Sequence, residues 1–317
     1  MSTPAVHGAF GAPRHAATRP RARSGAGLLA RWLALAACLA LTGCETLSFA
    51  ALNSTDARAG IDATPGVVFD SAHHLRLDVY APAHARHAPV VVFFYGGSWV
   101  RGERGWYRYV GTALAAHGVV AVIPDYRKFP AVGWRDFMRD AADAVRYARD
   151  HAASFGGDPH DLFVMGHSSG GHIAALLATD PRWLGTVGMR PRQLAGFIGL
   201  AGVYAFVPLP PQEKGMLAIF GRAPAMQRQA EPVAYVDGHE PPMLLLYGTS
   251  DREVDPSNSI ALAAAMRAHG ETVELKGYPE VGHMALALSL SRPLRKHAPV
   301  LSDVLAFIHA HPVAALP

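Results

Sequence analysis

The sequence predicts an α/β domain built on one mostly parallel sheet with helices on both faces. Three observations predict it. Six apolar runs of strand length show no polar alternation, as strands buried on both faces do. Apolar stripes at three- and four-residue spacing separate several of these runs, the pattern of helices that cover a sheet. One alternating segment precedes them all, so the sheet starts with an antiparallel strand at an edge.

In chain order, the alternating segment is "HLRLDVYAP" (His74–Pro82). The continuous runs are "PVVVFFY" (Pro89–Tyr95), "GVVAVIPDY" (Gly118–Tyr126), "DLFVMGHS" (Asp161–Ser168), "LAGFIGLAG" (Leu194–Gly202), "PPMLLLYG" (Pro241–Gly248) and "TVELKGY" (Thr272–Tyr278). Helical stripes are expected over Phe137–Phe155, where Ala141, Ala144, Val145 and Ala148 share a face, and over Gly171–Thr179, Ser259–His269 and Ser302–His311. Val203–Glu240 breaks the rhythm with prolines and the short run "GMLAIFG", and it reads as a cap insertion within one domain of residues 64–317.

The chain has 317 residues, half of them apolar, enough for a sizeable core. Its net charge of +4 is misleading, because residues 1–43 hold five arginines and no acid. Removing those 5 from the 29 basic residues leaves 24 against 25 acidic ones, so the body offers no electrostatic case for nucleic acid. The leader has an arginine-bearing start and the apolar stretch Trp32–Leu41, which is too short to span a bilayer as a helix. It ends in "LTGC" (Leu41–Cys44), which resembles a bacterial lipoprotein lipobox. That resemblance implies a signal peptide over residues 1–43, lipidation of Cys44 and a tether over residues 44–63. It also implies a membrane-anchored protein of the cell envelope facing the periplasm, and Glu45 favours the outer membrane. Cys38 leaves with such a leader, so no cysteine pair remains to form a disulfide.

The chemistry is concentrated at Gly166–Gly170, "GHSSG", a G-x-S-x-G pentapeptide centred on Ser168. It follows a buried strand and opens a helical pattern, the context in which a tight turn projects the central serine out of the sheet. Moving the frame to Ser169 loses the first glycine, so Ser168 is the candidate nucleophile. A serine hydroxyl needs a base to take its proton, and the base needs a carboxylate to orient it. Asp251 follows "MLLLYG", with Glu253 and Asp255 as competitors, and His283 follows the last apolar run. Ser168, Asp251 and His283 occur in the chain order expected of α/β-hydrolases. The glycines of "FFYGGSWVRG" (Phe93–Gly102) suit an oxyanion site, and the backbone N–H groups of Gly97, Ser98 and Ser169 are the expected donors.

Together, "YGGSW" (Tyr95–Trp99), "IPDYR" (Ile123–Arg127) and "FGGDPHDLFVMGHSSGGH" (Phe155–His172) resemble α/β-hydrolases of the carboxylesterase type. The similar branch carries an HGG-W oxyanion loop and includes acetyl-xylan and feruloyl esterases, kynurenine formamidases and prenylcysteine methylesterases. The resemblance covers roughly residues 65–312. It departs at Tyr95, where many relatives have His and prenylcysteine methylesterase-like sequences share the Tyr. It implies a serine esterase that acts on small or short-acyl esters through an acyl-enzyme, with no metal or organic cofactor. The same residues would serve an amide or formamide hydrolase or a peptidase. A surface-anchored binding protein on a hydrolase scaffold is the non-enzymatic alternative. The oligomeric state is open.

Other residues have plainer expectations. His73, His74, His84 and His87 sit in an edge region, and no metal site is expected there. Asp125 and Arg127 are expected to pair with each other beneath the oxyanion loop. Trp99, Trp106 and Tyr107 either line the substrate pocket or pack the loop. His167 and His172, though beside the serine in sequence, are not expected to be the base, and His172 is expected to pack or to line the site.

Overall fold

The computed structural model describes residues 47, 49–55 and 59–312. The signal peptide expected over residues 1–43 and the expected lipidation site Cys44 lie outside the described residues. Eight strands form one sheet: β1 (Ile61–Asp70), β2 (Leu75–Pro82), β3 (Ala88–Phe94), β4 (Val120–Pro124), β5 (Gly157–His167), β6 (Gly196–Leu200), β7 (Met243–Gly248) and β8 (Val273–Tyr278). Their order across the sheet is β1-β2-β4-β3-β5-β6-β7-β8. The pairs β1–β2 and β2–β4 are antiparallel, and every later pair is parallel. This is the mostly parallel α/β sheet with an antiparallel edge expected from the apolar runs and the alternating segment.

The unalternated runs do what their composition demands. Val90, Val91, Val92, Phe93 and Phe94 of β3 are all fully buried, as are Leu162–Met165 of β5 and Met243–Leu246 of β7. Each large apolar side chain removed from water in this way contributes about 1.5–3 kcal/mol. Helices α1 (Arg108–Ala115), α2 (Trp134–His151) and α3 (Ser169–Thr179) follow β3, β4 and β5. The short α4 (Pro181–Gly185) follows α3, and α5 (Lys214–Phe220) and α6 (Pro224–Arg228) lie between β6 and β7. After β7 and β8 come α7 (Ser257–Ala268), α8 (His283–Leu288) and α9 (Val300–Ala310). On α2, Phe137, Ala141, Ala144, Val145 and Ala148 are fully buried, which is the stripe read from spacing.

Several elements differ from the sequence expectation. Strand β1 was not anticipated, because its exposed "DATPGVV" stretch carries neither a buried run nor regular alternation. Helix α1 carries no clear stripe in sequence, because Arg108, Tyr109, Gly111 and Thr112 blur its apolar face. The stretch expected to act as a tether through residue 63 is partly folded onto the domain. Phe49 stacks on Trp106 with ring centroids 5.3 Å apart, and Asn53 donates from Nδ2 to the Gly105 carbonyl at 2.9 Å. Asn53 Oδ1 also accepts the Tyr109 N–H at 3.0 Å. Phe49 and Leu52, three residues apart on a helical turn over residues 49–54, supply the apolar contact that a free spacer would lack.

One consequence of parallel pairing organises the rest of the molecule. The carboxyl ends of β3, β5, β7 and β8 all point the same way. The four loops that carry the candidate site residues therefore meet at a single edge of the sheet.

Candidate active site

Ser168 sits between β5 and α3 with φ 55° and ψ −124°, a left-handed backbone that is costly for a residue with a Cβ. Its conformation is held on both sides. The Ser168 N–H donates to the Leu200 carbonyl at 3.0 Å, and its own carbonyl accepts the His172 N–H at 3.1 Å. The turn requires glycine at position 170, where a Cβ would lie 2.1 Å from the Phe94 carbonyl oxygen. The turn and the strand beside it are thus packed backbone to backbone.

The loops after β7 and β8 are stitched together, and this brings the other two residues into contact. Ser250 N–H donates to the Val281 carbonyl at 3.0 Å, and Glu280 N–H donates to Thr249 Oγ1 at 3.1 Å. Asp251 and His283, both buried, then meet with Asp251 Oδ2 2.8 Å from His283 Nδ1. The other carboxylate oxygen, Oδ1, accepts the N–H groups of Glu253 and Val254, each at 2.9 Å. Burial raises the Asp251 carboxyl, but the bonds from His283 and from these two amides outweigh it and hold the pKa below 3.8. A carboxylate anchored at both oxygens fixes the imidazole so that Nε2 is the nitrogen left for chemistry. No hydrogen bond joins Ser168 Oγ to His283 in this structure.

The competitors for the acid position are accounted for. Asp255 turns away and accepts the Ser257 N–H at 2.8 Å at the start of α7. Glu253 is exposed and borders the cavity over Ser168. Sequence alone left these three acids open because all lie within five residues, and only the backbone turn decides which one faces His283.

The loop after β3 completes the arrangement. Gly97 has φ 139°, and a Cβ there would lie 2.2 Å from the Arg101 carbonyl oxygen, so only glycine fits. Among the described residues, the N–H groups of Gly97, Ser98 and Ser169 donate to no protein acceptor. Ser169 is the first residue of α3, where an N–H has no acceptor within the helix. A cavity of about 280 Å³ opens here, lined by Ser98, Trp99, Ser168 and Ser169 and by Met216 and Ile219 of α5. An open groove of about 960 Å³ elsewhere, bordered by Arg190, Gln193 and Asp237, shares no lining residue with it.

The remaining expectations divide. Trp99 lines the cavity, whereas Trp106 stacks on Phe49 and the buried Tyr107 places its hydroxyl 3.2 Å from His167 Nδ1. Tyr95 is fully buried and stacks on Tyr126 at 4.7 Å, away from the cavity. Asp125 and Arg127 do not pair with each other, which corrects the expectation. Arg127 makes a two-pronged bond to Asp140 of α2, at 2.6 Å from NH2 and 2.9 Å from Nε, and Asp125 pairs with Arg104. Arg104 also reaches Asp78 of β2 at 2.8 Å, so the pairing that secures the loop comes from partners distant in sequence. Of the edge histidines, His73 does have a carboxylate partner, Asp70, at 2.6 Å. Among the described residues no three His, Cys, Asp or Glu side chains converge to hold a metal ion.

His167, not expected to be the base, nonetheless touches the candidate base. Its buried ring lies against the His283 ring, with centroids 4.7 Å apart. Burial, and then the neighbouring His283, push the His167 imidazole down to about 3, so it stays neutral beside the candidate base.

The chain is similar to several known proteins. The sequence model of the BD-FAE family matches residues 77–266. Isoprenylcysteine alpha-carbonyl methylesterase ICME of Arabidopsis thaliana is 29% identical over 264 residues, covering 77% of this chain and 61% of that protein. Esterase LipQ of Mycobacterium tuberculosis is 28% identical over 247 residues, covering 74% of this chain and 58% of LipQ. The chain thus spans about three fifths of the length of these curated relatives. Among solved structures, esterase B from Lactobacillus Rhamnosis superposes with a TM-score of 0.72 at 21% identity, covering 87% of this chain and 94% of that one. Thermogutta terrifontis esterase 2 gives 0.67 at 24% identity, covering 82% and 98%. At these identities the structural likeness establishes the fold.

Proposed function

The chain belongs to the BD-FAE family, and from that premise we propose that it is a serine carboxylic-ester hydrolase acting on small, short-acyl esters. The observation that carries this reading is the buried Asp251–His283 pair, held at the same sheet edge as the strained Ser168 turn. His283 Nε2 takes the hydroxyl proton as Ser168 Oγ attacks the ester carbonyl. The negative charge develops on the carbonyl oxygen, where the N–H groups of Gly97, Ser98 and Ser169 receive it. The imidazolium, paired with Asp251, hands its proton to the departing alcohol and leaves an acyl-serine. Water then repeats the sequence and releases the acid.

The small cavity, walled by Trp99, Met216 and Ile219, supports the short-acyl preference. The relatives named as esterases support the ester class. The test is a panel of p-nitrophenyl esters from acetyl upward, run beside N-formylkynurenine, with Ser168→Ala as the blank. Turnover should peak at short chains and vanish in the blank. Formamide hydrolysis with negligible ester turnover would contradict the reading.

We also propose that Cys44 is lipidated and that the enzyme works at the periplasmic face of the outer membrane. The "LTGC" sequence after an apolar stretch supports this. The wild type should sediment with membranes and Cys44→Ala should not; a wild type recovered wholly in the soluble fraction sinks the proposal.

A further inference from the structure

His172, one turn into α3, is fully buried and makes two hydrogen bonds of opposite sense. Its Nε2 lies 2.7 Å from the carbonyl of Ala230, which can only accept, so that nitrogen carries the proton. Its Nδ1 is then a bare lone pair, and it accepts the indole N–H of Trp99 at 3.2 Å. The ring also meets Trp99 edge-on at 5.2 Å and Phe220 at 5.3 Å. Three parts of the molecule therefore converge on one imidazole: the nucleophile helix, the loop after β3, and the segment between β6 and β7.

The loop after β3 needs an external hold. Ser98 and Trp99 have φ 54° and 61°, two consecutive non-glycine residues in the left-handed region, beside Gly97 at 139°. Such a backbone is disfavoured for residues with a Cβ and persists only where the surroundings enforce it. Within the loop, the N–H groups of Val100 and Arg101 both return to the Gly97 carbonyl, and the Trp99 carbonyl accepts the Phe129 N–H. The Trp99 side chain is buried, and among the described residues its only hydrogen bond is the one to His172.

We propose that His172 is a positioning residue for the oxyanion site, acting through Trp99 to hold the Gly97–Ser98 backbone with its N–H groups turned toward the cavity over Ser168. It touches no substrate. It sets the angle of the donors that do, and it ties them to Ala230 in the segment between β6 and β7, which lines the cavity through Met216 and Ile219. This rests on the ester-hydrolase reading, because an oxyanion site has meaning only for acyl transfer.

The test is a double-mutant cycle on the full chain, with p-nitrophenyl acetate as substrate, using His172→Phe, Trp99→Phe and the pair. Phenylalanine keeps an aromatic ring at each position and removes the hydrogen bond. His172→Phe should lower kcat about 10- to 100-fold with KM within about threefold, the signature of donors misplaced only for the transition state. In the Trp99→Phe background the same change should cost less than about twofold, since the bond is already gone. The Trp99 indole N–H should exchange slowly in the wild type, as seen by NMR, and fast in His172→Phe. If His172→Phe does not fold, Trp99→Phe alone decides, by the same fall in kcat. An active wild type whose His172→Phe keeps kcat within twofold, or whose two losses multiply, overturns this inference alone. A wild type with no ester turnover and no labelling by a fluorophosphonate overturns the ester-hydrolase reading and this inference with it.

Discussion

At the scale of the residue, the site is decided by which polar atoms are already committed. Asp251 spends one oxygen on two backbone amides and the other on His283, so the imidazole is held by a fixed carboxylate. Asp255 is committed to the start of α7, and Glu253 faces solvent. Asp251→Asn should therefore lower kcat by roughly three to four orders of magnitude, because an amide does not impose the same tautomer on His283. Glu253→Gln should stay within about threefold of the wild type. Steady-state kinetics on both variants checks this, and equal losses would show that the acid has been misassigned. Ser168, His283 and the glycines were legible from sequence because G-x-S-x-G and loop positions after apolar runs constrain them. The choice among three nearby acids was legible only as a preference, since it depends on a turn with no signature of its own.

At the scale of the element, buried histidines join parts of the fold that sequence distance hides. His172 lies on α3 and bonds to Trp99 and Ala230, 73 and 58 residues away. Burial, opposed by the bond to the Ala230 carbonyl, pushes its pKa down from 6.5 to about 4. Between those values the unfolded chain binds a proton that the folded chain refuses. Stability is therefore fully present above about pH 6.5 and is lost as pH falls toward about 4, by roughly 1.4 kcal/mol per pH unit for this residue. His167, held down to about 3, extends the same trend to lower pH. The Tm should fall steadily across this window, and His172→Phe should show a shallower fall. An identical slope in both proteins would mean that His172 is not kept neutral in the fold. Neither link could be read from "VMGHSSGGH", because both histidines look like flanking residues until distant elements are packed against them.

At the scale of the whole molecule, the parallel sheet does most of the work of assembling the site. Six apolar runs without alternation and one alternating segment foretell seven of the eight strands, and with them the edge at which the loops gather. The exceptions have physical causes. Strand β1 is paired on one side only and largely exposed, so it carries no buried run. The docked segment around Phe49 and Asn53 looks like a spacer because its contacts, Trp106 and Gly105, lie more than fifty residues later. The Asp125–Arg127 expectation failed for the same reason: the true partners, Arg104 and Asp140, come from other elements. What remains decisive is whether this assembled edge makes Ser168 a nucleophile. The most direct measurement is covalent labelling of the intact chain by a fluorophosphonate, with the modified peptide located by mass spectrometry. The account predicts one adduct, on Ser168, that is lost in Ser168→Ala and forms far more slowly in His283→Ala. A folded wild-type protein that takes up no label at Ser168 would contradict it.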